Sequence, residues 1–150
     1  MRCLTLHPEW AYAFWKLGKD GENRPRPLPP HLIGESIAIH AGASKVLNLS
    51  DRSTRDADRH AALDVFRLTC RHAGVRIPTD EEIDAIRGQI VAVVRFDPSI
   101  KRSSPWRAGH PLHFYPATSI QPLRTPIAHR GAQGWPFLPP EVEAQVWAAV

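Results

Sequence analysis

The chain reads as one α+β domain, a small and mostly antiparallel β-barrel with helices packed on it. Three observations predict this. Short apolar runs of strand character recur along the length, too short and too irregularly spaced for a parallel nucleotide-binding sheet. Between them lie segments of helical period with recognisable start and stop residues. A length of 150 residues suits a single core, burying about 68–70% of the unfolded surface, and no internal repeat divides residues 1–150.

The elements follow in order. Cys3–Leu6 is strand-like, and Pro8 then fits the first turn of a helix whose positive end Glu9 complements. Trp10, Phe14 and Leu17 recur at helical spacing with Ala13 beside them, an apolar face of core character, and Gly18 is a left-handed stop. Glu22–Arg24 reads as a short strand and Pro25–Pro30 as an extended connection. Ser36–His40 is a buried strand ending in a polar residue. After the loop Ala41–Ser50, Ser53 caps a helix running to about Ala73, with Ala57, Ala61, Val65, Leu68 and His72 as its expected face. Thr79-Asp80-Glu81-Glu82 is a capping box that opens a short helix through Ile83 and Ile86. Gly88 ends it, and the unbroken apolar run within Gln89–Phe96 predicts a strand buried on both faces. Pro98–Pro111 is loop, Leu112–Tyr115 a short strand and Ile127–Ala128 a further one. Gly134–Leu138 is a closing edge strand, since Pro136 has no N–H for a central ladder. Pro139 and Pro140 lead into a terminal helix, Glu141–Ala149.

Net charge is +4, and its distribution says more than its size. Asp51 to Arg87 holds eight acidic and seven basic residues, an ordinary solvated helical surface. Pro98 to Pro140 holds no Asp or Glu, but carries Lys101, Arg102, Arg107, Arg124 and Arg130 with His110, His113 and His129. Trp106, Phe114, Tyr115 and Trp135 lie among them. If these groups converge they make a phosphate-tracking surface with rings for base stacking; if scattered, they are loop charges. Trp106 with Arg107 reads equally as a stacking and phosphate contact or as an aromatic plug. Cys3 and Cys70 are far apart, follow no metal spacing and read as small buried hydrophobes of a reducing compartment. No apolar run approaches the roughly 18 residues of a membrane span and Met1-Arg2-Cys3-Leu4 has no signal-peptide core, so no membrane and a cytoplasmic location are expected. His110, His113 and His129 would offer imidazoles to zinc, but with no carboxylate nearby and no common spacing, no metal or cofactor is assigned.

The chemistry concentrates where the first helix passes into a strand. Glu22 and Arg24 share one strand face, and Lys19, just past the helix stop, is placed to fold over it. Together they offer a point cation, a carboxylate and a planar donor fork. The same three residues would also occur in an ordinary surface ion-pair cluster.

Four blocks, in order, carry a resemblance. His7-Pro8-Glu9-Trp10-Ala11 with Leu17-Gly18-Lys19-Asp20-Gly21-Glu22-Asn23-Arg24, then Ser36 to Ala41, then Gly88 to Val94, then Pro126 to Trp135 resemble the ASCH domain, a member of the PUA-like barrel superfamily. Glu9 between Pro8 and Trp10, Leu17 in place of a glycine, and Gly21 in place of an apolar residue depart from the pattern. The resemblance implies a PUA-like barrel and a cationic cleft between barrel and first helix that takes RNA or a nucleotide. Lys19, Glu22 and Arg24 would then contact base or phosphate, with His40, Arg130 and Gln133 as supporting walls, and Arg107, from its place beside Trp106 in the polar loop, is a further ligand-binding candidate. It also implies a second function: hydrolysis of RNA or of a modified nucleoside in the same cleft, with Lys19, Glu22 and His40 as the catalytic set and His129 a further proton carrier. One branch of the family removes acetyl from N4-acetylcytidine with a lysine, a threonine and a glutamate; Glu22 stands at the threonine position, so that nucleophilic hydroxyl is missing. A third reading is a protein-interaction module using the aromatic loop. Ligand identity and oligomeric state are not readable from the sequence.

Overall fold

The computed structural model describes residues 1–49 and 53–150; the far end of the loop expected over Ala41–Ser50, with Asp51 and Arg52, lies outside the described residues. Five strands, β1 (Arg2–Leu6), β2 (Gly21–Arg24), β3 (Ile37–Ala41), β4 (Gln89–Phe96) and β5 (His113–Ala128), form one sheet in the order β1-β3-β4-β5-β2, a half-barrel. The sheet is mixed: β1 runs parallel to β3, and the other three pairings are antiparallel. Helices α1 (Pro8–Lys16), α2 (Thr54–Ala73), α3 (Asp80–Asp84) and α4 (Pro140–Ala149) flank it, and Pro30–Leu32 forms a 3-10 turn at the end of the proline-rich connection.

The apolar run of β4 is buried on both faces because each face meets its own core. Val91, Ala92, Val94 and Phe96 join α1, α2 and α3 on one side. Ile90 and Val93 join Leu123, Leu138 and the α4 residue Val146 on the other. Helix α1 crosses the first core so deeply that Pro8, Glu9, Ala11, Tyr12, Ala13 and Phe14 are all buried, rather than one stripe of it. Its Phe14 ring meets Phe96 at 6.1 Å and its Trp10 ring meets Phe66 of α2 at 5.1 Å, both edge to face.

Helix α2 keeps the expected cap, with Ser53 Oγ accepting from Asp56 N at 3.0 Å, but turns a different face inward. Leu63, Phe66 and Cys70 are buried, while Val65 is 58% and Leu68 64% exposed. The reason is polar. Arg59 grips the fully buried Glu9 carboxylate with two hydrogen bonds of 2.8 and 3.0 Å. Arg59, Leu63, Phe66 and Cys70 fall on one helical stripe, so the ion pair decides which apolar stripe faces the core. The α3 capping box forms as expected, Glu82 N to Thr79 Oγ1 at 3.2 Å and Thr79 N to a Glu82 carboxylate oxygen at 2.8 Å. Cys3 and Cys70 are buried and unpaired, and burial pushes the Cys3 thiol up to about 12.

The two short strands expected at Leu112–Tyr115 and Ile127–Ala128 are the ends of one 16-residue strand, β5. Pro116, Pro122 and Pro126 hide its continuity in the sequence. It survives them because β5 changes partner and bulges: His113–Pro116 pair with β2, Ala117–Pro122 and Ile127–Ala128 with β4, and Leu123–Pro126, Pro126 among them, loop out of the register between. Along each stretch one side of the strand carries no ladder, and a proline facing that side removes no bond. The closing strand expected at Gly134–Leu138 shrinks to a single bridge, Arg2 to Phe137. Two hydrogen bonds of 2.9 Å, Cys3 N to Pro136 O and Leu138 N to Met1 O, hold it along β1. No helix among the described residues is long and apolar enough to cross a membrane.

Candidate ligand-binding cleft

The cleft begins at the end of α1. Leu17 N and Lys19 N both donate to Ala13 O, at 3.0 and 3.1 Å, and Gly18 between them takes φ +69°. That left-handed step, open to glycine at little cost, turns Lys19 back under the helix. Its side chain is 1% exposed, with Nζ 4.2 Å from the Phe14 ring centroid and 5.7 Å from that of Trp10. Nζ donates to Glu22 Oε2 at 2.5 Å and to the Gly21 carbonyl. Burial holds the Lys19 ammonium below its ordinary pKa, against the opposing pull of Glu22 and Asp20.

Glu22 is 7% exposed and sits opposite Tyr115 in the β2–β5 ladder. Its second oxygen, Oε1, has no protein partner among the described residues. Gly21, a departure from the ASCH pattern, is required by close approach. A Cβ there would overlap the edge of the Phe114 ring and lie 2.8 Å from the Tyr115 carbonyl oxygen.

Asn23 builds the outer wall by clamping the Pro98–Pro111 loop. Its Nδ2 donates to Trp106 O and its Oδ1 accepts from Ala108 N, both at 2.8 Å. Ser104 adds to the clamp, donating to Asp20 and accepting from Trp106 N at 3.1 Å. Trp106 is thereby buried, 4% exposed, as cavity wall rather than exposed platform. The enclosed space is about 260 Å³, bounded by Trp10, Lys19, Glu22, Trp106 and Arg107, with Val65 and Thr69 of α2 closing one side. Arg107, above the Phe114 ring at 5.8 Å, is exposed on its rim.

Sequence spacing anticipates the meeting of Lys19 with Glu22; it does not extend to Arg24. Both Glu22 and Arg24 act on the buried Tyr115 hydroxyl, whose pKa rises through burial first, with Arg24 lowering it and Glu22 raising it. Yet Arg24, two residues along at the strand end, lines a second and larger cavity of about 760 Å³, together with His40, Arg130 and Gln133. His40 is 2% exposed there, its Nε2 2.8 Å from the His129 carbonyl and its Nδ1 3.3 Å from Thr5 Oγ1. The carbonyl accepts a hydrogen bond from Nε2–H, and burial lowers the His40 pKa, so the ring is a positioned wall of the cavity. Asn23, Trp10, Val65 and Thr69 were not foreseen as cleft residues. Trp10 and Val65 read as core by periodicity, and only the tertiary packing of α2 brings Val65 and Thr69 to the site.

The cations of the acid-free segment are dispersed. Arg107 lies at the smaller cavity and Arg130 at the larger, while Arg124 donates to Ala148 O of α4 at 2.8 Å. No three His, Cys, Asp or Glu side chains among the described residues stand together as a metal site requires. No protein-family model matches the chain, and no curated protein matches it significantly.

Proposed function

We propose that the chain is an RNA- or nucleotide-binding domain of the PUA-like ASCH kind, which takes a nucleobase into the Lys19–Glu22 cleft with phosphate at Arg107. The observation that carries this reading is the unpartnered Glu22 Oε1, held in place by a buried lysine inside an aromatic-walled cavity. A buried ion pair is a poor device for stability alone, since desolvating both charges offsets most of their attraction. Opening one carboxylate oxygen onto a cavity gives the pair a use, because an ionised carboxylate accepts the N–H groups of a base edge. Trp10 and Trp106 supply ring surface, and stacking on such rings contributes about 1–3 kcal/mol per base. Buried, unpaired thiols fit a cytoplasmic setting for this activity.

The test is a panel of nucleosides and short single-stranded RNAs titrated against wild type and Glu22→Gln. Glu22→Gln keeps the shape but exchanges an acceptor for a donor, so discrimination across the panel is expected to fall by about 1–3 kcal/mol. A uniform shift across all ligands would leave Glu22 as a mere partner of Lys19, and absence of any RNA binding at low salt would remove RNA as the ligand.

A second reading, hydrolysis of RNA or a modified nucleoside in the same cleft, draws on the lowered Lys19 pKa. Such an ammonium, poor in water, would stabilise a pentacoordinate phosphate strongly, with Glu22 as the adjacent base. His40, in the other cavity with both ring nitrogens engaged, is not within that arrangement. Slow RNA turnover that disappears in Lys19→Ala would favour this reading over binding alone.

A further inference from the structure

We propose that the larger cavity is a separate anion site, built to hold a phosphate group. Its cations are uncompensated. No Asp or Glu lines it, and the Arg24 guanidinium, half-buried at its wall, has no hydrogen-bond or ion-pair partner among the described residues. Arg130 is equally unpartnered and exposed at the mouth. A half-buried guanidinium left without an acceptor is costly, and a bidentate oxyanion answers its fork geometry.

The lining loop adds donors. Residues 130 to 134 form an irregular loop along the cavity, and none of their backbone N–H groups has a protein acceptor among the described residues. Consecutive free backbone N–H groups in a non-helical turn are a recurrent anion cradle. The loop packs closely on this wall: a Cβ on Gly131 would overlap the His40 ring and lie 2.9 Å from Thr5 Oγ1, and Thr5 Oγ1 is within hydrogen-bonding reach of both Ala132 O, at 3.2 Å, and His40 Nδ1, at 3.3 Å. His40, fixed between Thr5 and the His129 carbonyl, is thus a positioning residue for this loop. Two unpaired guanidinium groups, a run of free N–H donors and a volume of about 760 Å³ match a phosphate carried on a nucleoside or on an RNA strand. The site stands apart from the Lys19–Glu22 cleft and does not rest on what that cleft binds.

The experiment is a titration with inorganic phosphate and with a nucleoside 5′-monophosphate, followed by backbone amide shifts. Saturable binding is expected, with the amides of residues 130 to 134 moving most. Arg24→Gln and Arg130→Gln are each expected to weaken it by about tenfold, the loss of one charge-assisted contact, and Lys101→Gln, an exposed cation outside the cavity, to leave it unchanged. Arg130→Gln alters an exposed side chain, so its outcome is free of any folding defect. Phosphate that binds equally well to both arginine variants, or that moves amides elsewhere in the chain only, overturns the proposal. A 5′-phosphorylated RNA against its 5′-hydroxyl twin then separates the sources. Dependence on the end group assigns a terminal or free phosphate, and equal binding that Arg24→Gln still weakens assigns a backbone phosphate. Because inorganic phosphate carries no base, failure here is distinct from failure of base discrimination at Glu22.

Discussion

A lysine with 1% of its surface exposed has exchanged bulk water for one carboxylate, one carbonyl and two ring faces. Its folded pKa lies below the ordinary 10.5, so between the two values the unfolded chain holds more protons than the folded one. The contribution of Lys19 to stability therefore rises with pH across that window. Urea unfolding followed upward in pH toward the ordinary 10.5 should show a steeper rise for wild type than for Lys19→Met, in which this titration is absent; parallel profiles would contradict a depressed lysine. Gly21→Ala is the complementary test of packing. The new methyl meets the Phe114 ring and the backbone of Tyr115, and a loss of about 1–3 kcal/mol is expected on unfolding. The two residues differ in how they could be read beforehand. Lys19 and Glu22 meet through a local helix stop and strand start, which leave a signature in consecutive residues. The need for glycine at position 21 arises from a ring on another strand, distant in sequence, and so appeared only as a departure from a family pattern.

Elements defined by local signals were legible in the same way. The α3 capping box, the Gly18 stop and the apolar run of β4 all concern residues within a few positions of one another. The inward face of α2 was not legible. Two apolar stripes compete on that helix, and the choice falls to Arg59 reaching the buried Glu9 of α1. Substitution tests that choice directly. Phe66→Ala should cost about 3–5 kcal/mol, whereas Leu68→Glu, on the stripe that periodicity favoured, should stay within about 0.5 kcal/mol of wild type, both read by thermal or denaturant unfolding. A large loss for Leu68→Glu would reverse the orientation of the helix. The continuity of β5 was hidden for a related reason: proline counts against a strand unless its unpaired side is known, and that side is set by which partner the strand has at each point.

At the scale of the whole molecule, the acid-free segment does not build a single basic face. Arg107 stands at one cavity and Arg124 is turned to the end of α4. RNA bound at the cleft should therefore feel them unequally. Arg107→Gln is expected to lower the slope of log affinity against log salt by about 0.7, one phosphate for a single strand, and Arg124→Gln to leave it unchanged; equal slopes for all three proteins would separate RNA binding from the cleft. The order of strands has a consequence in time as well as in space. In β1-β3-β4-β5-β2 the two margins of the sheet, Arg2–Leu6 and Gly21–Arg24, precede the three inner strands in the chain, and β2 finds its partner only at His113–Pro116. As the chain is synthesised, the strand bearing Glu22 and Arg24 thus waits until most of the domain has emerged before any ladder can receive it. Such distant closure is slow, so Glu22 and Arg24 take their places at the two cavities only once β5 has been made.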